Sequence, residues 1–128
     1  MITSIKGQGG CWSSWAFGCV ATAESVLIMN GWEENTIDLS EQYMLECLAT
    51  SSTWCSSRPS VWTVMNRALG GIPREAQYPY SPYDSHPGIC TEEERVHIAD
   101  KFMYYESIRD EEIIELLQTG PLTIWIST

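Results

Sequence analysis

Gln8-Gly9-Gly10-Cys11-Trp12-Ser13-Ser14-Trp15-Ala16-Phe17 is the stretch on which the reading of this chain turns. A glycine pair and a cysteine give way to an apolar run that continues to Asn30, and Gly31 follows as a natural residue just past a helix end. Between Ser14 and Asn30 the polar residues are few and small, Glu24 apart. That pattern predicts a helix over 14–30 that is buried on most sides.

Working outward, Ser40 is placed to cap a second helix, with Glu41 favoured in its first turn by the helix dipole. Met44, Leu45 and Leu48 would face inward. A third helix is predicted over about 60–69, ended by Gly70-Gly71. Residues 73–90 carry Pro73, Pro79, Pro82, Pro87 and Gly88, which predicts an irregular loop. Val96–Tyr105 reads as a strand of mixed alternation. Asp110 is expected to cap a short helix with Ile113, Ile114, Leu116 and Leu117 on one face, and Gly120-Pro121 stops it. Leu122–Ile126 then alternates as a strand. Two late strands without evident partners would leave open edges.

The chain has 128 residues, enough for one modest domain, and 44% of them are hydrophobic. Seventeen acidic against seven basic residues give a net charge of −10, which disfavours nucleic acid and anionic membrane surfaces as partners. No apolar run reaches the roughly 20 residues that span a bilayer. Cys11, Cys19, Cys47, Cys55 and Cys90 are many for a short cytosolic chain and suggest an oxidising, secreted setting. Their spacing does not suit zinc, His86 and His97 stand apart, and neither a metal nor a cofactor is expected. An odd count leaves one cysteine over. Met1 to Gly10 has no apolar core of a secretory signal. A disulfide-bearing protein should carry one, so the chain is expected to be a fragment, a processed piece or a truncated product.

Residues 8–17 resemble the active-site segment of the papain and cathepsin family of cysteine peptidases, whose usual pattern is Q-G-x-C-G-S-C-W-A-F. Three further landmarks follow in the family's order. Leu39-Ser40-Glu41-Gln42 with Cys47 is similar to L-S-E-Q…D-C, Tyr78-Pro79-Tyr80 to the Y-P-Y turn, and Gly120-Pro121-Leu122 to G-P-[VL]. The resemblance implies an α+β fold, a helical left lobe packed against a β-barrel right lobe. Residues 1–92 would form the left lobe and 93–128 the start of the right. It implies that position 14 holds the nucleophile, and that Gln8 with a backbone N–H forms the oxyanion hole. It places Trp12, Ser13, Trp15, Ser57 and Arg58 along the substrate cleft. It pairs Cys11 with Cys55 and Cys47 with Cys90, and leaves Cys19 as a free, buried thiol. It also implies an extracellular or lysosomal location.

Departures from the pattern set the functional expectation. The nucleophile position holds Ser14, whose hydroxyl forms no resting ion pair with imidazole and needs a general base. In this family the catalytic His and Asn lie about 130–150 residues after the nucleophile, beyond this chain, and neither His86 nor His97 takes their place. Trp12 stands where the family has glycine, and Arg58 where a glycine meets the substrate backbone; both also fit ordinary surface positions. The chain is therefore expected to be an inactive papain-like domain that acts, if at all, by binding a peptide or protein in its cleft. The alternatives are a fragment or trapped mutant of an active endopeptidase, a serine-type hydrolase on the same fold, and an interaction protein that keeps only the left lobe. A second chain completing the right lobe is a further expected partner.

Overall fold

The computed structural model describes residues 2–49, 55–56, 59–82, 90 and 94–124. His86, Ser57, Arg58 and the last part of the expected strand at 122–126 lie outside them.

Helix α1 spans Ser14–Met29. Its C-terminus closes as a Schellman turn: Gly31 takes φ +94°, its N–H donates to Ile28 O, and Trp32 N–H donates to Leu27 O. Trp15, Ala16, Cys19, Val20, Ala23, Leu27 and Ile28 are buried, a repeat that puts one side of the helix on the core. The expectation of burial on most sides is thus corrected. Ser14 and Ala21 are exposed, and Phe17, Gly18, Thr22 and Ser25 are half-buried. The apolar composition of 14–30 hid this, because alanine, glycine and threonine suit either side.

Helix α2 is one turn, Glu41–Tyr43, continued by a π-helical turn over Met44–Leu48. Ser40 caps it as expected, its Oγ accepting from Tyr43 N–H at 3.0 Å. Met44, Leu45 and Leu48 are buried. Helix α3 spans Val61–Ala68 behind the cap Ser60. Strand β1 (Ile72–Pro73) pairs antiparallel with β2 (Arg95–Val96), Ile72 opposite Val96.

The strand expected over 96–105 is therefore confined to its start, and that start has a partner. Beyond Val96 the side chains of Met103, Tyr104 and Tyr105 are largely exposed, and nothing among the described residues pairs with this backbone as a ladder. Residues 121–124 are likewise not strand. Helix α4 spans Asp110–Leu117. Its N-cap is Arg109 rather than Asp110, because the Glu112 carboxylate reaches back to the Arg109 N–H at 2.9 Å and fixes the first turn one residue earlier. The helix buries no residue, and of the apolar residues expected on one face Ile114 and Leu117 are more than half exposed.

The core lies between α1, α2 with its π-turn, α3 and β1. Cys11–Cys55 and Cys47–Cys90 are disulfides, with Cα atoms 4.5 and 5.6 Å apart, and Cys19 is a buried free thiol. These are the pairings the resemblance implies.

Candidate active site

The site begins where α1 begins. Ser14 is the helix's first residue and is exposed. Two features leave the positive end of this 16-residue helix acting on position 14: Ser13 makes no side-chain cap, and no acidic residue stands in the first turn. A thiol there would be acidified. A serine hydroxyl in the same field gains polarisation but stays far from ionised at neutral pH.

Gln8 approaches the same end. Its Nε2 donates to Cys11 O at 2.9 Å, which spends one of two amide protons and leaves the carboxamide at the entry to the helix. The backbone that carries it is held by Tyr80. The Tyr80 hydroxyl donates to Gln8 O at 2.7 Å and accepts from Ser13 Oγ at 2.7 Å, while its ring meets Phe17 edge-on at 4.9 Å. Burial raises the Tyr80 pKa, so the hydroxyl keeps its proton and remains a donor.

Tyr80 is set in turn by α2 and the segment after β1. Ser40 Oγ donates to Tyr78 O, Ser81 N–H donates to Gln42 Oε1 at 3.0 Å, and Tyr80 N–H donates to Glu75 Oε1 at 2.6 Å. Tyr78 donates to Glu46, and burial together with that carboxylate raises its pKa. The two motifs at 39–42 and 78–80 are thus the two halves of one clamp on the Gln8 segment.

The expected cleft residues divide. Trp12 is 62% exposed, and its N–H donates to Cys55 O at 3.0 Å, next to the disulfide. Ser13 and Trp15 are corrected: both are buried and neither presents a side chain to a ligand. Ser13 is drawn inward by Tyr80. Trp15 follows Ser14 by the roughly 100° of one helical step, which turns the indole into the core. There its Nε1 has no hydrogen-bond partner among the described residues. Ser57 and Arg58 are outside the described residues.

Cys19 is no replacement nucleophile, since burial pushes its thiol up to about 11. His97 Nε2 lies 3.2 Å from Asp100 Oδ1 on an exposed stretch after β2, and among the described residues no hydrogen bond joins a histidine to Ser14. No group of three or more His, Cys, Asp or Glu among the described residues is placed to hold a metal ion. No helix among them is long and apolar enough to cross a membrane.

Sequence reasoning missed the role of Tyr80. The Y-P-Y turn was visible, but nothing local shows that its second ring reaches a serine 67 residues earlier.

The chain is similar to known proteins. The family profile described as papain family cysteine protease matches residues 1–128. Zingipain-2 of Zingiber officinale is 38% identical over 93 residues, covering 70% of this chain and 38% of its own length. The viral cathepsin of Heliothis zea nuclear polyhedrosis virus is 33% identical over 128 residues, covering 96% of this chain and 33% of its own. Among solved structures, bromelain from Ananas comosus in complex with the E64 inhibitor superposes with a TM-score of 0.57 at 29% identity, covering 70% of this chain and 39% of that one. The ragweed pollen cysteine protease Amb a 11 in its proform gives 0.59 at 30% identity, covering 71% of this chain and 26% of that one. The chain spans between about a quarter and two-fifths of the length of the first curated relatives it matches. It is α+β, with four helices and one small two-stranded sheet among the described residues, and by its profile, relatives and fold it belongs to the papain family of cysteine proteases.

Proposed function

We propose that this chain is a proteolytically silent papain-family domain that engages peptide at the amino end of α1 without cleaving it, in an extracellular or lysosomal setting. The observation that carries this is Ser14. The position where the helix field would make a thiolate holds a hydroxyl, and no imidazole among the described residues is hydrogen-bonded to it. Two disulfides suit an oxidising compartment. Trp12 is exposed beside the helix end, where an aromatic side chain suits contact with an extended peptide.

The test is turnover of a fluorogenic peptide amide by the chain and by Ser14→Cys, each with and without a thiol alkylator, alongside peptide quenching of Trp fluorescence. The expected result is no turnover by either form and saturable quenching by peptide. A second reading, an endopeptidase whose nucleophile alone has been exchanged, draws support from the intact frame of Gln8, the Cys11–Cys55 bridge and the start of α1 around position 14. Alkylator-sensitive turnover by Ser14→Cys would establish that reading instead. Turnover by the unaltered chain, indifferent to the alkylator, would mean a serine hydrolase. Absence of both turnover and quenching would leave a structural or interaction role.

A further inference from the structure

Six residues before Trp12, and two before Gln8, Lys6 closes a partly buried cluster apart from the candidate site. Its ammonium lies 3.2 Å from Glu24 Oε1, 2.6 Å from Asp38 Oδ1, 2.8 Å from Glu41 Oε1 and 3.2 Å from Leu39 O. An ammonium has three protons, and here it faces four acceptors. It also brings one positive charge to three carboxylates. Asp38 is more than half exposed and leaves its charge to water, but Glu24 and Glu41 are 1% and 2% exposed.

Glu24 is served by three donors, Lys6, Leu39 N–H at 2.8 Å and the Thr3 hydroxyl. Glu41 is not so well served. Its Oε1 takes the Lys6 proton, while its buried Oε2 has no partner among the described residues. The remaining charged or titratable neighbour is Glu75, after β1, another carboxylate with an unpartnered buried oxygen; Tyr80, beyond it, brings no positive charge. Among the described residues, then, Lys6 is the one cation hydrogen-bonded to Glu41, and it is shared.

We propose that Glu41 is a proton-operated latch: protonated, it lets the Lys6 cluster hold the segment carrying Gln8 against α1 and α2, and on losing its proton it weakens that hold. The geometry favours a proton because a buried carboxylate that shares its ammonium donor with other acceptors, and whose second oxygen has no partner among the described residues, is costly when charged and inexpensive when neutral. In agreement, burial pushes Glu41 up to about 7, only partly offset by Lys6 and its own backbone N–H, and the Glu75 charge adds to the rise. The Lys6 ammonium does not titrate in this range: burial works against its charge, but its bonds to Asp38 and Glu41 prevail and hold its pKa above the usual lysine value. The direction follows from linkage. The folded state takes up the Glu41 proton more readily than the unfolded chain, so this stabilisation is full below about 4.5 and is lost as the pH rises through about 7.

The experiment is urea unfolding of the 128-residue chain at pH 5 and pH 8, beside Glu41→Gln and Glu75→Gln. The folded-to-unfolded ratio of the parent should fall by roughly tenfold or more from pH 5 to pH 8. Glu41→Gln should remove most of that fall and Glu75→Gln little of it. An unchanged fall in Glu41→Gln, or its removal by Glu75→Gln alone, overturns the proposal. Should Glu41→Gln fail to fold, carbon-13 NMR of side-chain carboxyls in the parent decides: a Glu41 midpoint near neutrality sustains the latch, and one in the ordinary carboxylate range overturns it.

Discussion

Tyr80 shows how much one hydroxyl carries here. It spans Ser13 and Gln8, and so links the residue before α1 to the backbone of the expected oxyanion-hole side chain. Replacing Tyr80 by Phe keeps the edge contact with Phe17 and leaves the fully buried Ser13 hydroxyl without its acceptor. An orphaned buried hydroxyl costs about 1–3 kcal/mol. Urea denaturation of Tyr80→Phe at fixed pH should show a loss of that order with an unchanged m-value. A loss under about 0.5 kcal/mol would mean that Ser13 finds another partner and that Tyr80 does not pin the segment. This role was illegible in the sequence. Hydrogen bonding across 67 residues leaves no periodic or compositional trace.

At the scale of elements, the turn from α3 into β1 is the tightest junction. Gly71 has φ +94°, and a Cβ added there would stand 2.8 Å from Arg95 Cβ and 3.0 Å from Val96 O. The position therefore asks for glycine twice, for its backbone angle and for the close approach of β2. Gly71→Ala should cost about 1–3 kcal/mol of stability and raise amide exchange at Ile72 and Val96, which face each other across the ladder. Unaltered exchange at that pair would show that the strand contact is not set by this turn. The helices were largely legible: Ser40 caps where expected, α3 falls within the range expected for it, and glycines follow α1 and α3. The strands were not. β1 is two residues with a proline, too short to alternate, and 96–105 alternates without a neighbour among the described residues to pair with beyond Val96.

Over the whole molecule, apolar surface remains uncovered on the side of α4 and the preceding segment. Ile114, Leu117, Met103, Tyr104 and Trp62 are all about half exposed or more, and Trp62 lies against Phe102 and Tyr104 at 5.0 and 6.1 Å between ring centroids. Such a patch favours association. The net charge of −10 slows it without removing it. Sedimentation at neutral pH should show species heavier than a 14.5 kDa monomer, together with binding of an apolar dye. A stable monomer that binds no dye would mean that these faces are covered within the chain.

What the sequence determined by itself was whatever depends on neighbours along the chain. A dense apolar run, serine caps and closing glycines specify helices through bonds that span only a few residues. The segment at 8–17, with 39–42 and 78–80, was enough to point to the family. Only the tertiary structure decided the rest. It turned Ser13 and Trp15 inward, joined the 39–42 and 78–80 motifs into a clamp on Gln8, and gathered Lys6, Glu24, Asp38 and Glu41 from three separate stretches. The reason is physical. Side-chain burial and the sharing of one ammonium among several carboxylates depend on distances through space, and a linear pattern does not record them.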